Sequence, residues 1–343
     1  VQGGISGNTN DWYLTSEASQ VAPEGGAYIG TQQATRTMFD HGLQDRASKR
    51  SLGADRQDSG LWMRAQGRHD KGMRMAEGKV DIDSSSDVVQ MGGALLRRPV
   101  GAQGALYAGL MAGYGDARID STSTLMRRDT NTAVRAKAHG KVSGYSAGVY
   151  GTFYADDVNR LGAYVDTWLQ YGRYTNRLSS ELGSADYDSN LWSASLESGY
   201  ALAPFAADSP FRAWVVEPRG QLIYSRYTAR AADLQDTRLR NGTADAWRSS
   251  IGVRLYQQPG QAADESVLRP FVETNWLHSE AVPSVRMGSN SFDARPSRDA
   301  LELKVGAQLR VARDVELSSH LFGHSGSASE YGYGGQLSLS YSW

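Results

Sequence analysis

Six histidines, at positions 41, 69, 139, 278, 320 and 324, are the side chains best suited to proton transfer or metal binding, and cysteine is absent. Two of them stand beside a serine, in LHSE (His278, Ser279) and in FGHSGS (His324, Ser325). A hydrolase would use such a pair as base and nucleophile. The second stretch only partly matches a nucleophile elbow, because G-x-S-x-G needs glycine two residues after the serine and position 327 is Ser. Neighbours on a strand also point to opposite faces, so neither histidine meets its own serine without leaving strand geometry. No HExxH or comparable ligand spacing is present; His320 and His324 share a strand face at most. No phosphate-cradling glycine loop precedes a helix. The sequence therefore offers no catalytic, metal or cofactor site, and the reading is a protein that is not an enzyme.

Charge placement is more informative. Arg64, Arg68, Asp166, Glu197, Glu217, Arg219, Arg254, Glu273, Glu302 and Lys304 all fall on the polar parity of alternating segments. In LGAYVDTWLQYGRY, Leu161, Ala163, Val165, Leu169 and Tyr171 share one face and Asp166 and Gln170 the other. In ALELKVGAQLRV, Leu301, Leu303, Val305, Ala307 and Leu309 oppose Glu302, Lys304, Gln308 and Arg310. Period-two alternation marks strands with one apolar and one polar face. Charges on the polar face of a membrane span belong in a water-filled interior, where they pair.

Counting such segments predicts twelve strands, near 60–70, 86–97, 104–116, 140–154, 161–175, 188–203, 211–227, 246–257, 268–279, 298–311, 314–324 and 333–343. Their connections alternate between short ones and long charged ones, as in an outer-membrane barrel with periplasmic turns and extracellular loops. A soluble sandwich or propeller is the plainer alternative. Long strands with aromatics near both ends favour the barrel. No run approaches 18 apolar residues, which excludes a transmembrane helix. The 36 basic and 37 acidic residues give a net charge of −1, so nothing recruits nucleic acid. The chain starts at Val1 without a signal peptide and reads as a processed or truncated fragment. Pro218, inside the seventh strand, predicts a bulge, since a closed barrel has no free edge to hide a missing N–H.

Residues 1–59 lack the alternation. NDWYLTSE reads as a short strand, Pro23-Glu24-Gly25-Gly26 as a break, and the stretch from about Gly26 to Leu43 as a helix. Tyr28, Ile29, Met38 and Phe39 are scattered among polar residues, which suits a wet, polar surround. Twelve strands about 4.7 Å apart close at a radius of roughly 12 Å, leaving room for one helix of about 10–12 Å. The expected organisation is 1–24 as the end of an upstream region, 25–59 as a linker with a pore-spanning helix, and 60–343 as a twelve-stranded transmembrane barrel. Arg36, Met38, Asp40 and Asp45 are the helix residues expected to meet the wall, its two acids and Arg36 by charge.

DWYL, the pore-sized helix, GLWMR at the barrel's opening, EPRGQLIY, SSIGVRL, RPFVETNWLH and the terminal YSW occur in an order that resembles the translocator region of monomeric autotransporters (type Va secretion). The resemblance covers essentially the whole chain. It implies an all-β, twelve-stranded antiparallel barrel in a Gram-negative outer membrane, with the helix in its lumen. It implies a monomer that exports and anchors its own N-terminal passenger, with Asp11–Leu14 as the tail of the passenger's β-structure. The implied partners are the passenger, outer-membrane lipid, periplasmic chaperones and the barrel-assembly machinery. That machinery would read Leu337, Leu339, Tyr341 and Trp343 on the last strand. Some members of the family cut the passenger free by attack of an Asn side chain on its own backbone. There is no Asn between Pro23 and Asp58, so a helix left uncleaved, or one processed elsewhere, is expected. The rivals are a diffusion channel with an open lumen, a barrel hydrolase, and a soluble adhesin fragment.

Overall fold

The computed structural model describes residues 21–46, 60–127, 132–206, 208–234, 237–241, 245–258, 268–287, 290–312 and 314–342. Asp11–Leu14 and Trp343 lie outside these residues. Twelve long strands form a closed antiparallel barrel. They are β1 (Gly60–Met75), β2 (Val80–Val100), β3 (Gly104–Arg127), β4 (Thr132–Tyr154), β5 (Gly162–Ser180) and β6 (Gly183–Ala201). The others are β7 (Trp214–Ala229), β10 (Asp245–Gln257), β11 (Leu268–Ser279), β14 (Asp299–Ala312), β15 (Val315–Gly326) and β16 (Tyr331–Ser342). Closure is a continuous ladder between β1 and β16, from Gly60↔Ser342 to Lys71↔Tyr331. We call the end holding Gly60 and Ser342 the lower end.

The strand count agrees with the alternation, but the strands run further upward than the sequence suggested. β3 continues to Arg127 and β4 starts at Thr132, so most of the expected long loop between them is a paired hairpin. Four short strands stand at the upper end: β8 (Ala232–Leu234), β9 (Thr237–Asn241), β12 (Ser284–Met287) and β13 (Asn290–Arg295). They pair as β8–β9–β12–β13, and β13 joins the top of β1 at Arg74↔Arg295 and Met75↔Ala294.

Pro218 makes no bulge. It sits opposite Val253 in an unbroken β7–β10 ladder. Toward β6 the ladder lapses for two residues and resumes in the same register, with Gly199↔Arg219 above and Leu202↔Val216 below. Leu202 and Val216 exchange both backbone bonds, so the position two residues on, Pro218, also faces β6 with its missing N–H. One ladder bond is lost near the lower end and the register survives. A bulge occurs instead in β1 between Asp70 and Met73, where Gly72 takes φ 85° and donates its N–H to Asp83 Oδ1 at 3.1 Å. A side chain there would meet the Ser329 carbonyl, so both the conformation and the space call for glycine.

Helix α1 spans Pro23–Thr37, and a single turn, α2, spans Leu43–Arg46. The helix thus starts three residues before the expected Gly26 and ends six before Leu43. Pro23 initiates it rather than breaking the chain, since the first helical positions need no N–H and favour proline's fixed φ. No helix among the described residues is long and apolar enough to cross a membrane.

Candidate functional site

The lumen is filled in two different ways. In its upper half α1 leans on β2–β5, and thirteen of its fifteen residues are buried. Tyr28 stacks on Tyr187 with ring centroids 5.1 Å apart, and Ile29, Val80, Ile82, Ile119, Val142 and Leu178 belong to the same apolar cluster. Gly26 and Gly30 allow this approach: a Cβ on either would run into Val80 and Ser121 or into Ile119. The threonines of the helix bond locally. Thr31 donates to the Tyr28 carbonyl at 2.7 Å and meets the Tyr187 hydroxyl at 2.5 Å; Thr35 donates to the Thr31 carbonyl at 2.8 Å. The expected polar surround is therefore corrected on the side facing β2–β5: the packing of α1 there is apolar, because the short strands and the upper parts of β2–β6 cover it.

Below Thr37 the chain is held by polar groups. Arg248 donates to the Arg36 carbonyl at 2.9 Å and pairs with Asp40 at 2.5 Å. Arg64 reaches the Asp40 carbonyl at 3.3 Å, while Gln221 and Trp168 donate to the His41 carbonyl at 2.9 and 3.2 Å. Glu197 accepts the Leu43 N–H at 2.9 Å, and Glu217 accepts from the Gln44 amide at 2.9 Å. Asp45 pairs with Lys304 at 3.4 Å, and its carbonyl accepts from Gln336 at 2.8 Å. Arg46 pairs with Asp166 and lies over the Tyr150 ring at 4.1 Å.

The predicted lumen residues divide into those that touch the linker and those that hold the ones that do. Arg64, Asp166, Glu197, Glu217 and Lys304 touch it. Glu273 stands behind them, 2.7 Å from Arg219, 3.2 Å from Arg254 and 3.7 Å from Lys304. Arg219 is 3.4 Å from Glu197, and Glu302 is 3.8 Å from Lys304. Arg68 stands apart, paired with Asp70 at 2.7 Å nearer the upper end. On the linker, Asp40 and Asp45 meet cations, but the Arg36 guanidinium lies over Tyr227 at 5.7 Å, and Met38 is buried against Gly115 and Val88. Leu337, Leu339 and Tyr341 point outward beside Ala65, Met63 and Leu61 on the closing ladder.

Sequence reasoning missed Arg46, His41, Gln336, Trp168 and Arg248. For Arg248 and Trp168 the signal was present, since they share the parity of Arg254 and of Asp166. His41 stacks on Trp168 with centroids 5.0 Å apart and accepts no serine. His278 is 2.8 Å from Asp299 and His324 is 3.3 Å from Asp70, so the two His–Ser sequence pairs do not assemble. Among the described residues no group of three potential ligands could hold a metal ion.

Beside α1, lined from β1, β2, β7, β10, β11 and β14–β16, a cavity of about 260 Å³ descends from the upper end to Asp45. Glu330, in the turn at its rim, accepts from the Ser297 N–H, and burial pushes its carboxyl above the ordinary glutamate range. On the outer wall, aromatic residues pair across neighbouring strands: Tyr114 with Tyr145 at 5.0 Å, Tyr171 with Trp192 at 4.8 Å, and Tyr224 with Trp247 at 4.8 Å. Below them the outward faces are apolar, with Met91, Leu110, Val149, Leu169, Leu196 and Ile251 exposed. An exposed apolar band under an aromatic ring is what a lipid bilayer covers.

A family model described as the autotransporter beta-domain matches residues 61–320. The uncharacterized protein YdeU of Escherichia coli (strain K12) is 28% identical over 375 residues, covering 99% of this chain and 78% of that protein. The autotransporter adhesin AIDA-I of Escherichia coli is 25% identical over 362 residues, covering all of this chain but 27% of the adhesin's length. Among solved structures, the transport unit of AIDA-I from Escherichia coli superposes with a TM-score of 0.80 at 22% identity, over 94% of this chain and 100% of that one. The translocator domain of NalP from Neisseria meningitidis gives a TM-score of 0.57 at 16% identity, over 92% and 96%.

Proposed function

Since this chain belongs to the autotransporter β-domain family, an outer-membrane translocator that serves secretion of a linked passenger, we propose that residues 25–59 are the end of the exported polypeptide, retained in the pore as its plug and anchor. On this reading α1 enters with its N-terminal end at the cell surface, and residues 1–24 are the junction to the passenger. The observation that carries it is the grip on residues 36–46. Charged or polar wall groups meet the linker at Arg36, Asp40, His41, Leu43, Gln44, Asp45 and Arg46. A segment merely passing through has no need of such a fit. A diffusion channel needs an open lumen, which α1 and α2 fill. We assign the barrel no catalytic step, and the passenger's activity belongs to residues outside it.

The finer partners follow from the same reading. The outward row Leu337, Leu339 and Tyr341, with the terminal Trp343 that follows it in sequence, is proposed as the strand recognised by the barrel-assembly machinery after periplasmic chaperones deliver the chain, and the assembled barrel as a monomer. Placing a signal peptide and an epitope tag before Val1 tests the export reading directly. Protease or antibody added to intact Gram-negative cells should reach the tag. A tag protected until the outer membrane is breached would leave the N-terminal segment in the periplasm and remove the proposal.

A further inference from the structure

At the upper end the wall is not built as it is below. The ladder between β1 and β16 stops at Lys71↔Tyr331, while β1 runs on to Met75. The edge that β16 leaves free is taken by β13, through Arg74↔Arg295 and Met75↔Ala294. In the barrel β15 and β16 stand between β14 and β1, so the β11–β14 connection crosses over their tops to reach β1. On the other flank β7 leaves β6 above Ser189↔Ala229, and β6 continues up to Gly183. There Arg230 donates its N–H to the Asp188 carbonyl at 2.9 Å. Beyond that bond β8 lies beside β6, and no ladder joins the two among the described residues. The upper rim is thus a ring of β1–β6 and the short strands β13–β12–β9–β8, hydrogen-bonded at one flank and slit at the other.

Helix α1 touches both sides of that slit. On the β6 side Tyr28 stacks on Tyr187, and the Thr31 hydroxyl meets the Tyr187 hydroxyl. On the other, Gly25 is seated so closely on β12 that a Cβ would lie 2.8 Å from Met287 Sδ and 3.4 Å from Val285. Ala232, Leu234, Leu239, Val285 and Ala294 of the short strands are at most 2% exposed and belong to one apolar cluster with Tyr28 and Ile29. These strands have only three to six residues each. A sheet that short needs a helix or a further sheet to pack on. With two ladder pairs to β1 and none to β6, the support it has is α1.

We infer that β8, β9, β12 and β13 form a clasp, hinged on β1, that closes the upper mouth only on a seated α1 and parts from β6 when the helix leaves. The width of the mouth then follows what the lumen holds. The inference rests on the place of α1 in the lumen and not on the direction of export, so either can fail without the other. Hydrogen exchange of the refolded full chain in detergent tests it. The four short strands and α1 should exchange together through one shared opening, ahead of the ladder between β3 and β4. Short strands still protected after α1 has exchanged overturn the inference. Gly30→Leu sharpens the test, because a Cβ there runs into Ile119 and Ile82 of β3 and β2. The short strands should nevertheless exchange about tenfold or more faster together with α1, as coupled segments do. Faster exchange in α1 beside an unchanged clasp overturns the inference. Arg46→Ala, which loosens the linker below the helix, should leave the clasp as it is in the parent. A clasp that opens there too answers to the barrel as a whole, and the inference falls. If the leucine variant does not refold, the order of exchange in the unmodified chain decides the matter alone.

Discussion

The upper and lower halves of the lumen solve the same problem, holding one segment of chain inside a barrel, with opposite chemistry. Along β2 the inward residues begin as Val80 and Ile82 and reach Gln90, while the outward ones begin as Asp81 and Asp83 and reach Val89 and Met91. The register with β3 is unbroken over this stretch, so the polarity inverts while the geometry does not. Above the aromatic ring the outside is water and the inside is α1, so polar residues point out and apolar ones in. Below it the outside is lipid and the inside holds the charged linker. Apolar packing is non-directional and tolerates sliding, whereas paired charges and carbonyl contacts fix position along the axis. The upper half therefore packs α1 against one wall, and the lower half sets depth.

The largest test of that division is to remove the occupant altogether. Deleting residues 26–46 should raise the conductance of the barrel in planar bilayers from nearly closed to a steady open level, because both the apolar packing of α1 and the ionic grip below it go. An unchanged conductance would mean that other residues close the pore.

Single substitutions separate the halves. Arg46→Ala leaves Asp166 buried without its cation, and breaking such a pair costs about 3–5 kcal/mol. Hydrogen exchange of residues 38–46 should rise by about two orders of magnitude or more, with residues 24–34 far less affected. Adding Asp166→Ala should recover much of the loss, since the uncompensated charge is then gone. Equal exchange in both segments would show that the linker opens as one unit and that the halves are not distinct. In the upper half, Gly30→Leu forces a side chain into Ile119 and should cost about 1–3 kcal/mol by overpacking. Its exchange signature should appear in α1 and leave residues 40–46 protected.

The twelve strands and the face that carries Arg64, Asp166, Glu197, Glu273 and Lys304 were legible because lipid imposes one rule along each span. The upper extensions were not. Once water replaces lipid the apolar residues switch faces, so Ala117, Ile119 and Ala138 in DARIDSTSTLMRRDTNTAVRAKAHG look like scatter in a charged loop. Pro23 looked like a break because its neighbours Gly25 and Gly26 are poor helix formers. They are there for close approach, Gly26 to Val80 and Gly25 to Met287 and Met75, which only the packed barrel reveals. Arg46 carried no periodic signal at all, since it lies one turn beyond the irregular stretch that ends α1.

The smallest effect concerns a carboxylate of the upper half. In the lower half Asp40, Asp45 and Asp166 each have a cation as a direct partner, whereas Glu330 is desolvated and accepts chiefly from the Ser297 backbone, with Asp70 nearby adding repulsion. Its pKa is raised in the folded state, so the folded chain retains a proton that the unfolded chain has already released. Stability from this group is then full below the ordinary glutamate value of about 4.3 and declines as pH rises through the interval up to the raised value. Glu330→Gln removes that decline. The unfolding temperatures of the two proteins should converge near pH 4 and separate above it, with the glutamine variant higher. A variant that is less stable than the parent throughout would show that the Ser297 contact outweighs the desolvation, and that the mouth, like the lower lumen, is held by its ionised carboxylates.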